Sequence, residues 1–284
     1  MSKVGIVTDS TSCIPAELIQ KYDIRTIPVA MVIDGKSYPD NELSNEDFWK
    51  MFYAARQPVT TQAASQSDFA AVFKNLAEST DSIICILVSK ALSATQEAAV
   101  QASKIVREES PNLNIEIIDS KTATGALGFI VLEAARAAEE GKTLAEVAQV
   151  ARDMIPRVKF LVGMDTLKYL IRIGRAPKTA LIGDMLQVKP IIGMVSGTGL
   201  VENLGRARGK RKAKEKMAEM MKDYVDTGKP VHLMVHYTDG IAAGEELRDL
   251  VTSGINCAEL HLTPYTPVMA AACGPVVAIS FYSE

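Results

Sequence analysis

The chain has 284 residues, of which 48% are hydrophobic and 23% charged, and this composition excludes a disordered protein and allows a sizeable core. A formal net charge of −3 and a pI near 5.8 argue against a dedicated nucleic-acid binder, which usually carries a basic domain. The four cysteines form no C-x-x-C pair, so neither a zinc site nor a disulfide framework is expected. Apolar stretches stay below the ~20 residues that span a bilayer and no secretory signal pattern opens the chain, so we expect a soluble cytoplasmic protein.

Apolar runs of strand length alternate with amphipathic stretches in the first half of the chain, which is typical of βαβ units on a parallel sheet. The predicted strands are Lys3 to Val7, Arg25 to Ile33, Ser82 to Val88 and Asn114 to Ile118. Helices are predicted from a Ser44 cap to Ala55, from a Ser67 cap to Leu76, from Ala91 to Glu109 and from Gly125 to Glu140. Thr143 with Glu146 three positions later forms a capping box that opens one more helix.

A domain boundary is predicted near Pro156, which disfavours helical geometry at Ile155 and precedes a new apolar strand, Val158 to Gly163. We therefore expect two domains, residues 1–156 and 157–284. The second half then reads as mixed α/β. Its predicted elements are a helix from Asp165 to Ile173, a strand from Lys189 to Val195, a strand or extended arm to Leu204, a helix from Lys210 to Val225, a helix start at Asp239-Gly240, and strands at Val231 to His236, Cys257 to Leu262 and Val276 to Tyr282.

Three hydroxyl-rich segments follow apolar runs in the first half: residues 8–12, residues 60–67 and residues 89–95. None of them contains a histidine or a cysteine. Hydroxyls and helix-start amides can hold a carboxylate or a phosphate, but they supply no general base or metal ligand. The pattern favours anion binding over catalysis, although serine and threonine are also ordinary helix caps.

The order of these segments resembles that of the DegV family of bacterial lipid-binding proteins, over essentially the whole chain. The matching elements are Thr8 to Thr11, Thr60 to Gln62, Ser89 to Thr95, Ile118 to Ser120, Leu167 to Arg175, Val188 to Ile192 and Arg206 to Gly209. The resemblance implies a two-domain α/β fold, with an N-terminal Rossmann-like parallel sheet and a C-terminal mixed sheet. It also implies a long-chain fatty acid whose tail is buried and whose carboxylate lies at the domain junction. Several family members carry that acid for a separate ATP-dependent fatty acid kinase.

The family's carboxylate-binding hydroxyls fall on Thr60, Thr61 and Ser93, and Thr95 belongs to the same ligand-binding set. A hydrogen bond to a charged group is roughly twice as strong as a neutral one. Two further pairs complete the predicted ligand site: Asp9 and Ser10 as positioning residues near its rim, and Arg172 and Arg175 near its mouth. Each pair also has a purely structural interpretation. Asp9 and Ser10 would then form a helix cap, and Arg172 and Arg175 would belong to a solvated charged face.

The basic cluster from Gly205 to Lys216 is a candidate partner surface, on which Arg206 and Arg208 would contact the kinase. We expect at most transient contact with a membrane. The alternative interpretation of the cluster is a solvated charged face. The sequence departs from the family at Ala272, which occupies the position of a carboxylate-binding histidine in a His-x-Gly-Pro-Gly element. The second domain is expected to supply most of the apolar lining, and the predicted lining residues are Met164, Leu167, Leu181, Ile182, Met185, Leu186, Ile191 and Met269.

We expect no cofactor and no metal, because the sequence lacks a phosphate loop, a G-x-S-x-G elbow and an H-E-x-x-H motif. The main hypothesis is therefore a non-catalytic carrier. Two alternatives stay open at this point: a hydrolase or phosphotransferase that uses Ser93 with a distant histidine, and a regulatory protein whose conformation responds to lipid.

Overall fold

A computed structural model describes residues 4–177, 187–238 and 240–284. The strands in this part of the chain are β1 (Gly5–Asp9), β2 (Arg25–Ile27), β3 (Ala30–Ile33), β4 (Lys36–Pro39), β5 (Thr60–Gln62), β6 (Ser82–Leu87), β7 (Asn114–Asp119), β8 (Lys159–Met164), β9 (Val188–Met194), β10 (Glu202–Arg208), β11 (Val231–Tyr237), β12 (Cys257–Pro264) and β13 (Val276–Ser283). The helices are α1 (Ala16–Lys21), α2 (Asn45–Ala54), α3 (Gln66–Ala77), α4 (Thr95–Glu109), α5 (Thr124–Glu139), α6 (Leu144–Met154), α7 (Lys168–Arg172), α8 (Lys210–Tyr224), α9 (Ile241–Thr252) and α10 (Pro267–Cys273).

The first sheet has the strand order β2-β1-β6-β7, and all its pairs are parallel. This confirms the parallel sheet predicted for the N-terminal part. Thr8 pairs with Ile86, so β1 and β6 end side by side. Two of the hydroxyl-rich segments therefore leave the sheet at the same edge.

A small antiparallel sheet, β4-β3-β5, follows from a break in the predicted strand Arg25 to Ile33. Pro28 lies at this break, where it has no backbone N–H to offer a ladder. The chain leaves the parallel sheet there and β3 pairs elsewhere. Thr61, opposite Met31, thereby belongs to a strand rather than to the start of a helix.

The second sheet has the order β10-β9-β8-β13-β11-β12. Only its β11–β12 pair is parallel, so the mixed sheet predicted for the C-terminal part is confirmed. The last strand of the chain, β13, lies in the middle of this sheet between β8 and β11. The strand or arm predicted to end at Leu204 is a strand, β10, and it continues to Arg208.

Helix α5 lies between the two large sheets and is buried along almost its whole length. A Cβ at Gly128 would lie 2.7 Å from the Ser12 carbonyl oxygen, and a Cβ at Gly125 would lie 2.4 Å from Nε2 of His236. Two glycines thus allow the helix to approach both halves of the molecule. One core cluster spans both halves, and the boundary at residue 156 stays a prediction.

Helix ends follow local sequence signals in most places. Ser44 accepts from the backbone of Asp47, and Thr143 and Glu146 form the predicted capping box. The predicted cap at Ser67 is wrong: Ser65 accepts from the Asp68 N–H instead, so α3 starts earlier. Helix α4 begins at Thr95 rather than at Ala91, because a hydroxyl-bonded turn occupies residues 89–93. Helix α7 is shorter than predicted.

Among the described residues, no helix combines the length and the apolar character that a bilayer-spanning segment requires.

Candidate ligand site between the sheets

A cavity of about 310 Å³ lies between the two large sheets, within the range of pockets that hold small ligands. One wall is apolar and comes mostly from the C-terminal half. Phe160 and Val162 of β8, Ile192 of β9 and Met269 of α10 belong to it. The N-terminal half supplies about half of the described lining residues, a larger share than the sequence predicted.

Thr61, Ser93 and Arg175 supply polar groups to the cavity lining. Three of the predicted ligand-binding residues are thus brought together by elements far apart in the chain: β5, the loop after β6 and the turn after α7. Gln62 adds an amide to this group. Hydroxyl, amide and guanidinium donors around an apolar cavity suit an anion with a hydrophobic tail.

Ser93 lies in a tight turn that prepares the start of α4. Its N–H donates to the Ser89 carbonyl at 3.2 Å, and its hydroxyl accepts from the Thr95 N–H at 3.2 Å. The Ser93 and Thr95 hydroxyls are hydrogen-bonded at 2.8 Å. Thr95 is fully buried and also accepts from the Ala64 N–H at 3.4 Å. Thr95 therefore joins the Ser93 turn to the segment that follows Thr61, and it supports the site from behind.

Arg172 and Arg175 are held by carbonyl oxygens in the described part of the chain. Nε of Arg175 donates to the Leu92 carbonyl, and its Nη1 donates to the Ile173 carbonyl at 3.2 Å. Nη1 of Arg172 donates to the Val59 carbonyl at 3.4 Å, and its guanidinium lies 5.4 Å from the centroid of the Tyr169 ring. A carbonyl oxygen does not neutralise a guanidinium, so both positive charges can attract a carboxylate. Of the two, only Arg175 is among the cavity-lining residues described here.

Asp9 and Ser10 lie behind the cavity wall and act within the first sheet. The fully buried Asp9 carboxylate accepts from the Thr11 N–H at 3.0 Å and from the Val88 N–H at 2.8 Å. Burial raises the pKa of Asp9, and these hydrogen bonds oppose the rise. The Ser10 hydroxyl accepts from the Val29 N–H at 3.0 Å. The pair positions Thr11, Val29 and Val88, which do line the cavity.

Comparison with known proteins places this architecture in one family. The model of a family described as "Uncharacterised protein, DegV family" matches residues 3–284. The chain belongs to the DegV family. A DegV domain-containing protein of Caldanaerobacter subterraneus is 38% identical over 225 residues, 78% of each chain, and one of Streptococcus pyogenes is 30% identical over 275 residues, 95% of this chain and 94% of that one.

Solved DegV structures have the same fold. A Thermus thermophilus DegV family protein described by its fatty acid binding is 26% identical, covers 100% of both chains and gives a TM-score of 0.88. A Thermotoga maritima protein described as revealing a fatty acid binding function gives the same three values. A second Thermotoga maritima protein, described as a DegV lipid binding protein, is 26% identical with a TM-score of 0.89 over 99% of this chain and 98% of that one.

The DegV departure at Ala272 falls in the cavity wall. The following loop is fixed by Gly274, which has φ 71° and ψ −158°. A Cβ at this position would lie 2.2 Å from the ring of Tyr169, which in turn contacts Phe52 with ring centroids 5.6 Å apart. Gly274 and Tyr169 thus fix the chain directly after Ala272, whose methyl side chain can donate no hydrogen bond.

The expected apolar lining residues are divided among several places. Met269 lines the cavity, whereas Met164 lines a second, smaller pocket and Ile191 is fully buried in another core cluster. Leu167 packs partly buried against the main core. The remaining four, Leu181, Ile182, Met185 and Leu186, lie outside the described residues.

Three polar residues in the cavity lining were not predicted from the sequence: Thr11, Thr124 and Tyr265. Thr11 lies in a hydroxyl-rich segment that the sequence did single out, so a signal for it existed. Tyr265 follows a strand end in a Thr-Pro-Tyr-Thr-Pro stretch, and Thr124 follows Ser120 and Thr122 in a short polar loop.

The histidines of this DegV protein lie on the C-terminal sheet. His232 and His261 bond Glu259 at 2.9 Å and 2.8 Å, while burial lowers the pKa of His236 to about 3. Among the described residues, the Ser93 hydroxyl pairs with Thr95 and not with a histidine. The catalytic use of Ser93 gains no support from this geometry.

Arg206 and Arg208 are exposed on β10, at the edge of the second sheet. They are two positions apart in the strand and so share one face. Nζ of Lys216 donates to the Arg206 carbonyl at 3.3 Å, which adds a third cation beside them. Neither arginine is among the described residues that line the cavity.

Proposed function

We propose that this DegV protein binds a long-chain fatty acid, with its tail in the cavity and its carboxylate at Thr61, Ser93 and Arg175. The observation that carries the proposal is one cavity with an apolar wall and hydroxyl and guanidinium groups in its lining. The fatty acid binding described for the Thermus thermophilus and Thermotoga maritima relatives supports it. Thr60, Thr95, Asp9, Ser10 and Arg172 belong to the site as residues that support its shape or charge.

The energetics of such a complex are divided between tail and headgroup. Each buried methylene contributes ~0.8 kcal/mol, so the tail supplies most of the affinity. The headgroup fixes orientation, because a carboxylate needs charge-assisted hydrogen bonds to replace its hydration. Ala272 offers none, and Arg175 and the two hydroxyls take that role here.

The binding experiment is native mass spectrometry of the purified protein, followed by extraction of any retained acid. Ser93→Ala and Thr61→Val should each weaken fatty acid binding roughly ten- to a hundredfold, the value of one hydrogen bond to a charged group. Ser44→Ala is the matched control, since it removes a helix cap on α2 with no contact to the cavity. Full retention of the acid by Ser93→Ala and Thr61→Val would refute the headgroup assignment.

The protein further acts, in this proposal, as a cytoplasmic non-catalytic carrier that presents the carboxylate to a separate fatty acid kinase. Arg206 and Arg208 would form the contact, because their exposed charges lie on an accessible sheet edge. Their joint replacement by glutamate should reduce phosphorylation of the bound acid while fatty acid loading stays unchanged. Equal phosphorylation by the variant and the parent protein would exclude this surface.

A further inference from the structure

The start of α5 forms a second polar region of the cavity lining. Ala123 and Thr124 lie in the cavity wall there, and the N-cap residue Ala123 makes no side-chain hydrogen bond to the first-turn amides of the helix. Free amides at a helix start carry a partial positive charge and seek an acceptor. A ligand oxygen, whether uncharged or negatively charged, could accept hydrogen bonds from these amides.

Tyr265 provides the independent sign of a ligand group. It lines the cavity, is fully buried, and its hydroxyl has no hydrogen bond of suitable geometry among the described residues. The Thr124 hydroxyl lies near enough to interact with that of Tyr265, but it makes its hydrogen bond of good geometry with Ser280, at 3.1 Å. Burial raises the pKa of Tyr265, so its hydroxyl stays a donor. A buried hydroxyl without a good partner has lost its hydration with no full replacement, and a ligand oxygen would supply that replacement.

The surroundings hold Tyr265 in place. The His236 ring lies against it with centroids 4.9 Å apart and touches Gly125 of α5 on its Nε2 side. The Thr263 backbone comes near His236, yet neither ring nitrogen has a hydrogen-bond partner of suitable geometry. Thr124 has φ 58°, which is unusual for a β-branched residue. The fold thus maintains a costly polar arrangement at this wall.

We propose that this part of the cavity is a second polar subsite, which binds an oxygen substituent on the acyl chain, such as a hydroxyl or oxo group remote from the carboxylate. The inference rests on the proposed function, since it takes the ligand to be a fatty acid. The substituent would accept a hydrogen bond from Tyr265 and lie against the first-turn amides of α5. A plain hydrocarbon tail would leave the Tyr265 hydroxyl unpaired.

The test compares the dissociation constant of stearic acid with those of a series of hydroxystearic acids, which are positional isomers of one another. The position of the hydroxyl in the isomer that binds most tightly reports how far along the chain the subsite lies. At least one isomer should bind the parent protein roughly tenfold more tightly than stearic acid, the value of about one recovered hydrogen bond. Tyr265→Phe should remove this preference and leave stearic acid binding equal or tighter. Tyr282→Phe is the control, because it deletes another buried tyrosine hydroxyl, bonded to Glu133 and not in the described cavity lining.

Two results would overturn the subsite while fatty acid binding stands: stearic acid binds and no isomer is preferred, or the preference persists in Tyr265→Phe. If the parent protein binds none of the acids, the proposed function fails and the subsite fails with it. Melting temperatures of the two tyrosine variants, measured alongside, show that each is folded when its affinities are determined.

Discussion

Gly274→Ala should destabilise the protein through two separable effects. The residue has φ 71° and ψ −158°, a region that is essentially restricted to glycine and costs other residues of order 1–3 kcal/mol. A Cβ there would also lie 2.2, 2.3 and 2.9 Å from three atoms of the Tyr169 ring, so the ring must move by more than an ångström. Such overpacking costs typically ~1–3 kcal/mol more.

Gly209→Ala is the matched control for the backbone effect. Gly209 has φ 86° and ψ 158°, in the same restricted region, but a Cβ there meets no atom within 4 Å. Both variants should lose stability, and Gly274→Ala should lose ~1–3 kcal/mol beyond its control, or roughly 2–10 °C in melting temperature. Thermal and urea unfolding measure both quantities.

The same variant should weaken fatty acid binding, because displacement of Tyr169 disturbs α7, which carries the cavity residue Leu170. Gly209→Ala should bind the acid normally. Equal melting temperatures for the two variants would refute the argument that the Tyr169 contact constrains position 274.

Two further measurements test other parts of the fold. Burial raises the pKa of Asp40 to about 6, from a reference of 3.8, so the folded protein binds this proton more tightly than the unfolded chain. The contribution of Asp40 to the free energy of unfolding should then fall as pH rises from about 4 through 6. Asp40→Asn should be more stable than the parent protein at pH 7, and this difference in stability should close towards pH 4. A difference that does not change with pH would contradict the argument. Ser89→Ala removes the hydrogen bond that a buried hydroxyl donates to the Gly199 carbonyl at 2.8 Å, which should lower the free energy of unfolding by about 1–3 kcal/mol. Because the cavity residue Val201 is close to Gly199 in the chain, the variant should also release a bound fatty acid faster in a displacement assay. Ser196→Ala, exposed in the same hairpin, should leave the release rate unchanged.

Local signals predicted the fold where neighbouring residues decide the structure. The Thr143 and Glu146 capping box is complete within four residues and was identified from them. The segment from Arg25 to Ile33 shows the opposite case: its apolar run is continuous, yet it divides between two sheets. Which sheet receives β3 depends on pairing with β5, about thirty residues away, and hydrophobic periodicity carries no such information.

The candidate site likewise contains residues that the sequence predicts and residues that only the packed structure reveals. Thr61, Ser93 and Arg175 were identified through the family resemblance, and the structure places all three at one cavity. Tyr265 and Thr124 were missed because their significance lies in a missing partner and in a strained backbone angle. Both are properties of the packed molecule, and neither residue type signals them in the sequence.

The position of α5 determines how a ligand can enter. Its two glycines bring it against Ser12 on one side and His236 on the other, and its buried side chains belong to a core cluster that reaches both sheets. The two halves therefore cannot swing apart like a clamshell without exposing that shared core. The proposed fatty acid would have to pass local loops, so its exchange should be slow and governed by loop opening. For the same reason, a fragment that ends at residue 156 would carry α5 with one face stripped of its packing partners, and such a fragment would aggregate rather than fold.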